Sequence, residues 1–210
     1  MTAVFRLLGS EEVPEAVRLL ASAFAADPSM AHFLGPRPAA VPSRWDQQLG
    51  ALLTLVLQSA LRGGDEVVGL YLGSRLAAVA ITEDRRPGLG RALRRGWAEV
   101  ASLATVGRAL PWAVLSRVEA YRRAVRQAHS SALAFYLVML GVDSEFQRQG
   151  LGRQLFSFLV SRHPGVWGLD TENPANVDVY RRWGLTHDGS LRLGTLEVFL
   201  MTLEEKEAAQ

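Results

Sequence analysis

Gln147, Arg148, Gln149, Gly150, Leu151, Gly152 and Arg153 set two glycines and two arginines at the start of an apolar run at helical spacing, Leu151, Leu155, Phe156, Phe158 and Leu159. A helix start exposes unpaired backbone amides and carries an effective charge of roughly +0.5. Glycines clear the space in front of those amides, so a phosphate oxygen can approach them, with the guanidinium groups of Arg148 and Arg153 alongside. A pyrophosphate suits this arrangement. Spacing removes two nucleotide motifs: a dinucleotide-binding turn needs a third glycine where Leu155 stands, and the Gly-Lys-Ser/Thr ending of a phosphate loop is absent. For the glycines alone, an ordinary turn into a helix is the competing reading.

Asn176 and Tyr180 follow at a spacing of four, which puts them on one helix face. A tyrosine hydroxyl, with a pKa of about 10, holds its proton at neutral pH and can donate it without ionising first. Taken alone, such a tyrosine would also pass for a core residue with a satisfied hydroxyl. Asp170 and Glu172 in "VWGLDTE" are carboxyls at the end of a strand, of a type that can act as a base. His32 sits in a loop, where a lone histidine is usually a surface residue, whereas Asp143 and Glu145 belong to a solvated turn. There is no cysteine, which excludes disulfides, thiolate metal sites and a cysteine nucleophile.

The elements that must position these groups are legible in the hydropathy pattern. A strand over "AVFRLLG" leads to a helix from Ser10 to about Ala26, a short helical turn in "ADPSMAHFLGPRP", and a helix from Ser43 to Arg62 stopped by Gly63-Gly64. "EVVGLYL" and "RLAAVAITE" around Gly73-Ser74 form a hairpin. Residues Arg85 to Gln127 hold two helical patterns, Leu89 to Leu110 and Trp112 to Gln127, parted by Pro111; Trp97, Trp112 and many aliphatics are expected to give them a buried face. "ALAFYLVMLGVDSEF" is a strand whose Gly141 marks a bulge or a packing contact. The glycine-rich helix, a strand at "VWGLDTE", a helix at "PANVDVYRRWG" and two strands around Leu193-Gly194 follow, ending in a charged tail. This is a mixed α/β domain around one sheet, a single domain over residues 1–210 with 85–127 as a helical insertion.

The 210 residues suffice for a substantial core, and 49% apolar with 21% charged residues is a globular balance. No uncharged run approaches the roughly 20 residues that span a membrane, and the N-terminal residues lack a secretory pattern; a soluble cytoplasmic protein is expected, with no membrane partner. Net charge is +2 and Lys206 is the only lysine, so positive charge is nearly all guanidinium. Between Arg85 and Arg126 only Glu99 and Glu119 are acidic, which suits phosphate or carboxylate partners and is equally what a codon bias toward arginine gives.

"LVMLGVDSEFQRQGLGRQL" resembles the cofactor motif of the GNAT superfamily of acyl-CoA-dependent N-acetyltransferases. Gln147 and the pair Gly150 and Gly152 occupy the motif positions, Val142 stands where the cofactor-pairing strand ends, and Asp143-Ser144 replace the usual proline. "LDTENPANVDVYRRWGL" resembles the later family segment through Asn176, Tyr180 and Gly184-Leu185, with leucine for phenylalanine. The motifs lie within residues 140–185, while the order of elements extends the resemblance over most of the chain; the insertion and "AFAADPSMAHFL" are most similar to the puromycin N-acetyltransferase-like members. The resemblance implies a mostly antiparallel central sheet flanked by helices, with the helical insertion before the cofactor strand. It implies acetyl-CoA as co-substrate and no metal.

The same resemblance implies that the backbone of Leu140, Gly141 and Val142 pairs with the pantetheine arm, that Gln147 to Arg153 hold the pyrophosphate, that Asn176 holds the cofactor arm, and that Tyr180 is the general acid as well as a cofactor contact. The glutamate that family members often carry on the strand before the motif is missing; "AFYLVML" offers only Tyr136 and Met139, so Glu172 and Asp170 are the possible substitutes, and a water chain or an amine arriving neutral would also serve. A bulge at Gly141 would splay this strand from "VWGLDTE" and open a slot for the thioester. The acceptor, an amine of a small molecule or peptide, is expected between the first helices and the insertion, against Phe24, Met30, Phe33 and Trp45. Arginines of the insertion, if they face that cleft, would repel a polycation, or attract a carboxylate-bearing amine or the CoA phosphates. A non-catalytic acyl-CoA sensor is the alternative function, nucleic-acid binding a weaker third, and homodimerisation is left open.

Overall fold

The computed structural model describes residues 2–39, 43–106, 109–130 and 132–204. Strand β1 (Ala3–Leu7) leads into a single 3-10 turn, Ser10–Glu12, and helix α1 (Val13–Phe24). Glu12 reaches back to accept from the Gly9 amide at 2.7 Å, and Pro14 in the first turn costs no helical hydrogen bond. Helix α2 (Pro28–Leu34) starts on the Asp27 carboxylate, which accepts from the Ser29 amide at 2.9 Å. Ser43 and Asp46 cap α3 (Arg44–Gly63) reciprocally, and Gly64 at φ 75° ends it in the left-handed region. The hairpin of β2 (Glu66–Leu72) and β3 (Arg75–Asp84) turns through Gly73.

The insertion supplies α4 (Leu89–Val106) and α5 (Trp112–Ala128). The first helix thus stops short of the expected Leu110; residues 107 and 108 lie outside the described residues. The expectation that Trp97 and Trp112 anchor a buried face is wrong: they are 77% and 80% exposed. Small residues do the anchoring instead. Ala98 and Ser102 let α4 approach α3 closely, and Arg62 donates to Ser102 Oγ at 2.8 Å. α5 is held by Val114 and Val125.

After β4 (Phe135–Val142) come a 3-10 turn (Ser144–Phe146), α6 (Leu151–Arg162), β5 (Trp167–Thr171), α7 (Pro174–Arg182), β6 (Thr186–Leu193) and β7 (Leu196–Leu203). Of the expected charged tail, residues 205–210 lie outside the described residues. One seven-stranded sheet has the order β1-β2-β3-β4-β5-β7-β6, antiparallel at every junction except the parallel β4–β5. One face packs on α1, α2 and α3 through Leu20, Leu53 and Leu57; the other packs on α6 and α7 through Leu155, Leu159 and Trp167. β2 and β3 are covered on both faces, which is why they read as nearly unbroken apolar runs. The mixed α/β architecture with a largely antiparallel sheet between helices is the one expected.

Candidate active site

The parallel junction is incomplete. β4 and β5 pair only at Phe135–Trp167 and Tyr136–Gly168, and from Leu137 onward β4 has no partner on that side. Its other edge stays paired, Ala80 with Leu140, Val79 with Gly141 and Ala78 with Val142. The strands therefore fork, but not at Gly141. The register of β3 against β4 skips Val138, three residues after Phe135, and the bulge lies there. Gly141 is a packing glycine: a Cβ on it would come within 2.7 Å of Leu20 Cδ2 and 3.3 Å of Ala23 Cβ, so α1 crosses it in contact. Of the two readings open for this residue, the bulge is overturned.

Beyond the fork the chain turns into α6 through two left-handed residues, Arg148 at φ 62° and Gly150 at φ 78°. The two glycines have different reasons. Gly150 meets nothing within 4 Å and is needed for its dihedral; Gly152 lies where a Cβ would stand 3.2 Å from Leu140 and 3.4 Å from Trp183. Gln147 folds back to donate from Nε2 to the Val142 carbonyl at 3.2 Å, tying the turn to the end of β4. No described group accepts from the backbone amides of residues 147–153. Arg148 and Arg153 are exposed beside them.

The fork opens on a cavity of about 800 Å³ between α1–α3, the insertion and the ends of β4 and β5. Leu140, Asn176 and Tyr180 line it, and α7 presents the last two on one face, with Asn176 Nδ2 donating to Thr171 Oγ1 at 3.3 Å. Tyr180 stacks edge-on against Trp183, 5.0 Å between centroids, and its hydroxyl has no hydrogen-bond partner among the described residues. Desolvation, then the carboxylates of Asp170, Glu172 and Asp27, push this phenol well above the usual tyrosine range, so it holds its proton.

Asp170 and Glu172 face the same cavity from the end of β5, and Tyr121 of α5 touches both carboxyls through its hydroxyl. A phenol has one proton and can donate to only one of them. The other contact needs a carboxyl that has kept its own proton. Burial and the charge of Asp170 push Glu172 up to about 8, and burial raises Asp170 too, so a protonated partner at neutral pH is what the electrostatics give. Tyr121 escaped the sequence reading: its helical spacing in α5 is that of a packing residue, and nothing links it to positions 49 and 51 residues away.

Phe24, Met30 and Phe33 line the cavity as expected, but Trp45 does not. Its ring is 5% exposed and its indole N–H donates to the Gly35 carbonyl at 2.8 Å, clipping the end of α2 to α3. His32 is also off the cavity wall and packs edge-on against Phe33; burial and then Arg117 lower its pKa. The insertion's arginines are mostly spent on structure. Arg94 Nε donates to the Gly63 carbonyl at 2.7 Å, Arg95 bridges Asp65 at 2.5 Å and Glu83 at 3.0 Å, and Arg117 holds the Phe33 carbonyl at 2.8 Å. Among the described residues no cluster of three metal-ligating side chains is present.

Solved structures share this fold. A Corynebacterium glutamicum ATCC 13032 protein, histone acetyltransferase HPA2 and related acetyltransferase, superposes with a TM-score of 0.69 at 17% identity, covering 100% of both chains. The Staphylococcus aureus Mu50 N-acetyltransferase gives 0.61 at 13% identity, over 95% of this chain and 100% of that one. A Desulfovibrio desulfuricans putative acetyltransferase of the GNAT family gives 0.55 at 13% identity, over 97% and 99%. The chain has the GNAT fold. No family model matches it, and no curated protein matches it in sequence. The likeness to GNAT structures is broad, with no particular match to a puromycin N-acetyltransferase, and no described helix is long and apolar enough to cross a membrane.

Proposed function

We propose that this chain is an acetyl-CoA-dependent N-acetyltransferase acting on the amine of a small molecule or peptide. One observation carries the reading: the free edge of β4 and the unpartnered Tyr180 hydroxyl border one cavity, and β4 runs on into the unpaired amides of residues 147–153, tied to its end by Gln147. They fit the pantetheine arm, the leaving sulfur and the pyrophosphate in turn. A strand edge offers alternating donors and acceptors to the amides of the arm, as to an added strand. The amides of 147–153 meet a dianionic group with no side chain in the way at Gly150 and Gly152, and Asn176 would hold the arm from the opposite wall. When bound, acetyl-CoA supplies the acetyl thioester and a thiol leaving group for direct attack by the amine.

The protein's own part is orientation and proton control. Backbone amides of Leu140 to Val142 hold the carbonyl in place. Tyr180 Oη keeps its proton up to high pH and gives it to the sulfur. Calorimetric titration with CoA tests the cofactor part, and absence of heat at millimolar CoA sinks it. Tyr180→Phe should lower kcat by about 100-fold and leave CoA affinity within about twofold, since general acids contribute 10²–10⁴. The alternative, a non-catalytic acyl-CoA sensor, drew on the missing strand glutamate; Asp170 and Glu172 supply carboxyls in its place. Release of CoA thiol with any natural amine removes the sensor reading.

A further inference from the structure

The acceptor end of the cavity carries more information than the resemblance does. Its walls are apolar at Phe24, Met30, Phe33, Leu52, Val56 and Leu115. Most charges on it cancel in pairs: Arg95 with Asp65 and Glu83, Arg85 with Glu83, Arg122 with Glu99, Arg123 with Glu119. Among the described residues Asp170 and Glu172 have no cation within ion-pair distance, although Arg85 lies near enough to act on Asp170 through space. Opposite them the Tyr180 phenol is desolvated and unpartnered. An enclosed carboxyl pair that needs an extra proton, faced by an idle hydroxyl and apolar walls, lacks one compact cation.

We propose that this cavity binds an apolar primary monoamine as its ammonium ion, the nitrogen seated against Asp170 and Glu172, and that Glu172 then takes the proton that frees the nitrogen lone pair. The inference rests on the acetyltransferase reading only for what the freed amine does next. Binding the ammonium expels the extra proton of the carboxyl pair to solvent. One N–H proton then passes to Glu172 Oε and on to water, leaving a neutral amine, so charge and protons balance. Tyr121 positions the pair from the insertion, and Asp27, committed to capping α2 through Ser29, adds negative potential. The groups facing Glu172 are Asp170, Tyr121, Asp27 and Tyr180, with Arg85 and Glu83 behind Asp170. A second positive charge on the ligand would fall on apolar wall, and a carboxylate beside the amine would meet the acids.

Calorimetry with 2-phenylethylamine and n-hexylamine, with and without CoA, reads this directly when run at pH 7 in two buffers of different ionisation enthalpy. Binding should release close to one proton, and Glu172→Gln should abolish that release while CoA binding persists. Phenylalanine, the same ring with a carboxylate, should bind about 100-fold more weakly, because like-charge juxtaposition costs several kcal/mol. Tyr121→Phe, as a positioning variant, should shift the pH midpoint of binding, and Asp170→Asn serves if the Glu172 variant melts early. Failure of both amines to bind at millimolar concentration, equal binding of phenylalanine, or undiminished proton release in both carboxyl variants overturns the proposal. Amine binding with proton release but no CoA binding would instead overturn acetyl transfer and leave the amine site standing.

Discussion

At the scale of single residues, the glycines show how much a motif says and where it stops. Gly150 and Gly152 were readable as an anion turn, yet their separate reasons, a left-handed dihedral and a close approach to Leu140 and Trp183, exist only in three dimensions. Gly141 illustrates the opposite case. Its place in a strand pointed to a bulge, whereas α1 lies against it and the bulge falls at Val138, a residue with ideal strand chemistry. Gly141→Ala should therefore cost about 1–3 kcal/mol, the overpacking range, read as a lower denaturant midpoint at unchanged m-value. Asp170 and Glu172 were legible as candidate bases, but their partner Tyr121 was not, because the contact joins an insertion helix to the end of a strand.

At the scale of elements, boundaries followed from caps and hydrophobic period: Ser43, Gly64 and Gly73 mark ends where the sequence places them, and the structure adds Asp46 and Asn173 as capping side chains. The insertion was the weak point. Its tryptophans suggested a buried face, but α4 rides on α3 through Ala98, Ser102 and a set of arginine contacts, leaving Leu89, Leu93, Trp97 and Val100 in solvent. Burial by small residues leaves no mark in hydropathy. Arg95 is the main tether, and removing it strands Asp65, already raised by burial, while Glu83 keeps only Arg85. Arg95→Met should cost about 3–5 kcal/mol in thermal or denaturant unfolding, the range for a broken buried pair. Trp97→Ser, with no such partner, should stay within about 0.5 kcal/mol.

At the scale of the molecule, two groups of opposite sign set the pH dependence of stability. Glu172 is raised from 4.5 to about 8, so the fold keeps a proton that the unfolded chain has lost, and stability falls as pH rises toward 8. His129 is lowered from 6.5 to about 4 by burial and Arg85, so its contribution is complete above 6.5 and is lost as pH falls toward 4. The two slopes oppose one another below about 6.5. Above it only the carboxyl slope remains, at most about 1.4 kcal/mol per pH unit. Thermal melts should show Tm falling from pH 6.5 to 8, a fall that Glu172→Gln flattens; His129→Gln should instead make Tm climb as pH drops below 6.5. The fork between β4 and β5 has a different consequence. Exposed strand edges are templates for aggregation, and proteins commonly cover or charge them. Here two bare edges face each other across the fork, diverging from two residue pairs, and neither is an outer edge of the sheet. The sheet can thus keep a permanently unfinished ladder, ready for a thin, flexible polyamide, without recruiting its own neighbours into fibrils.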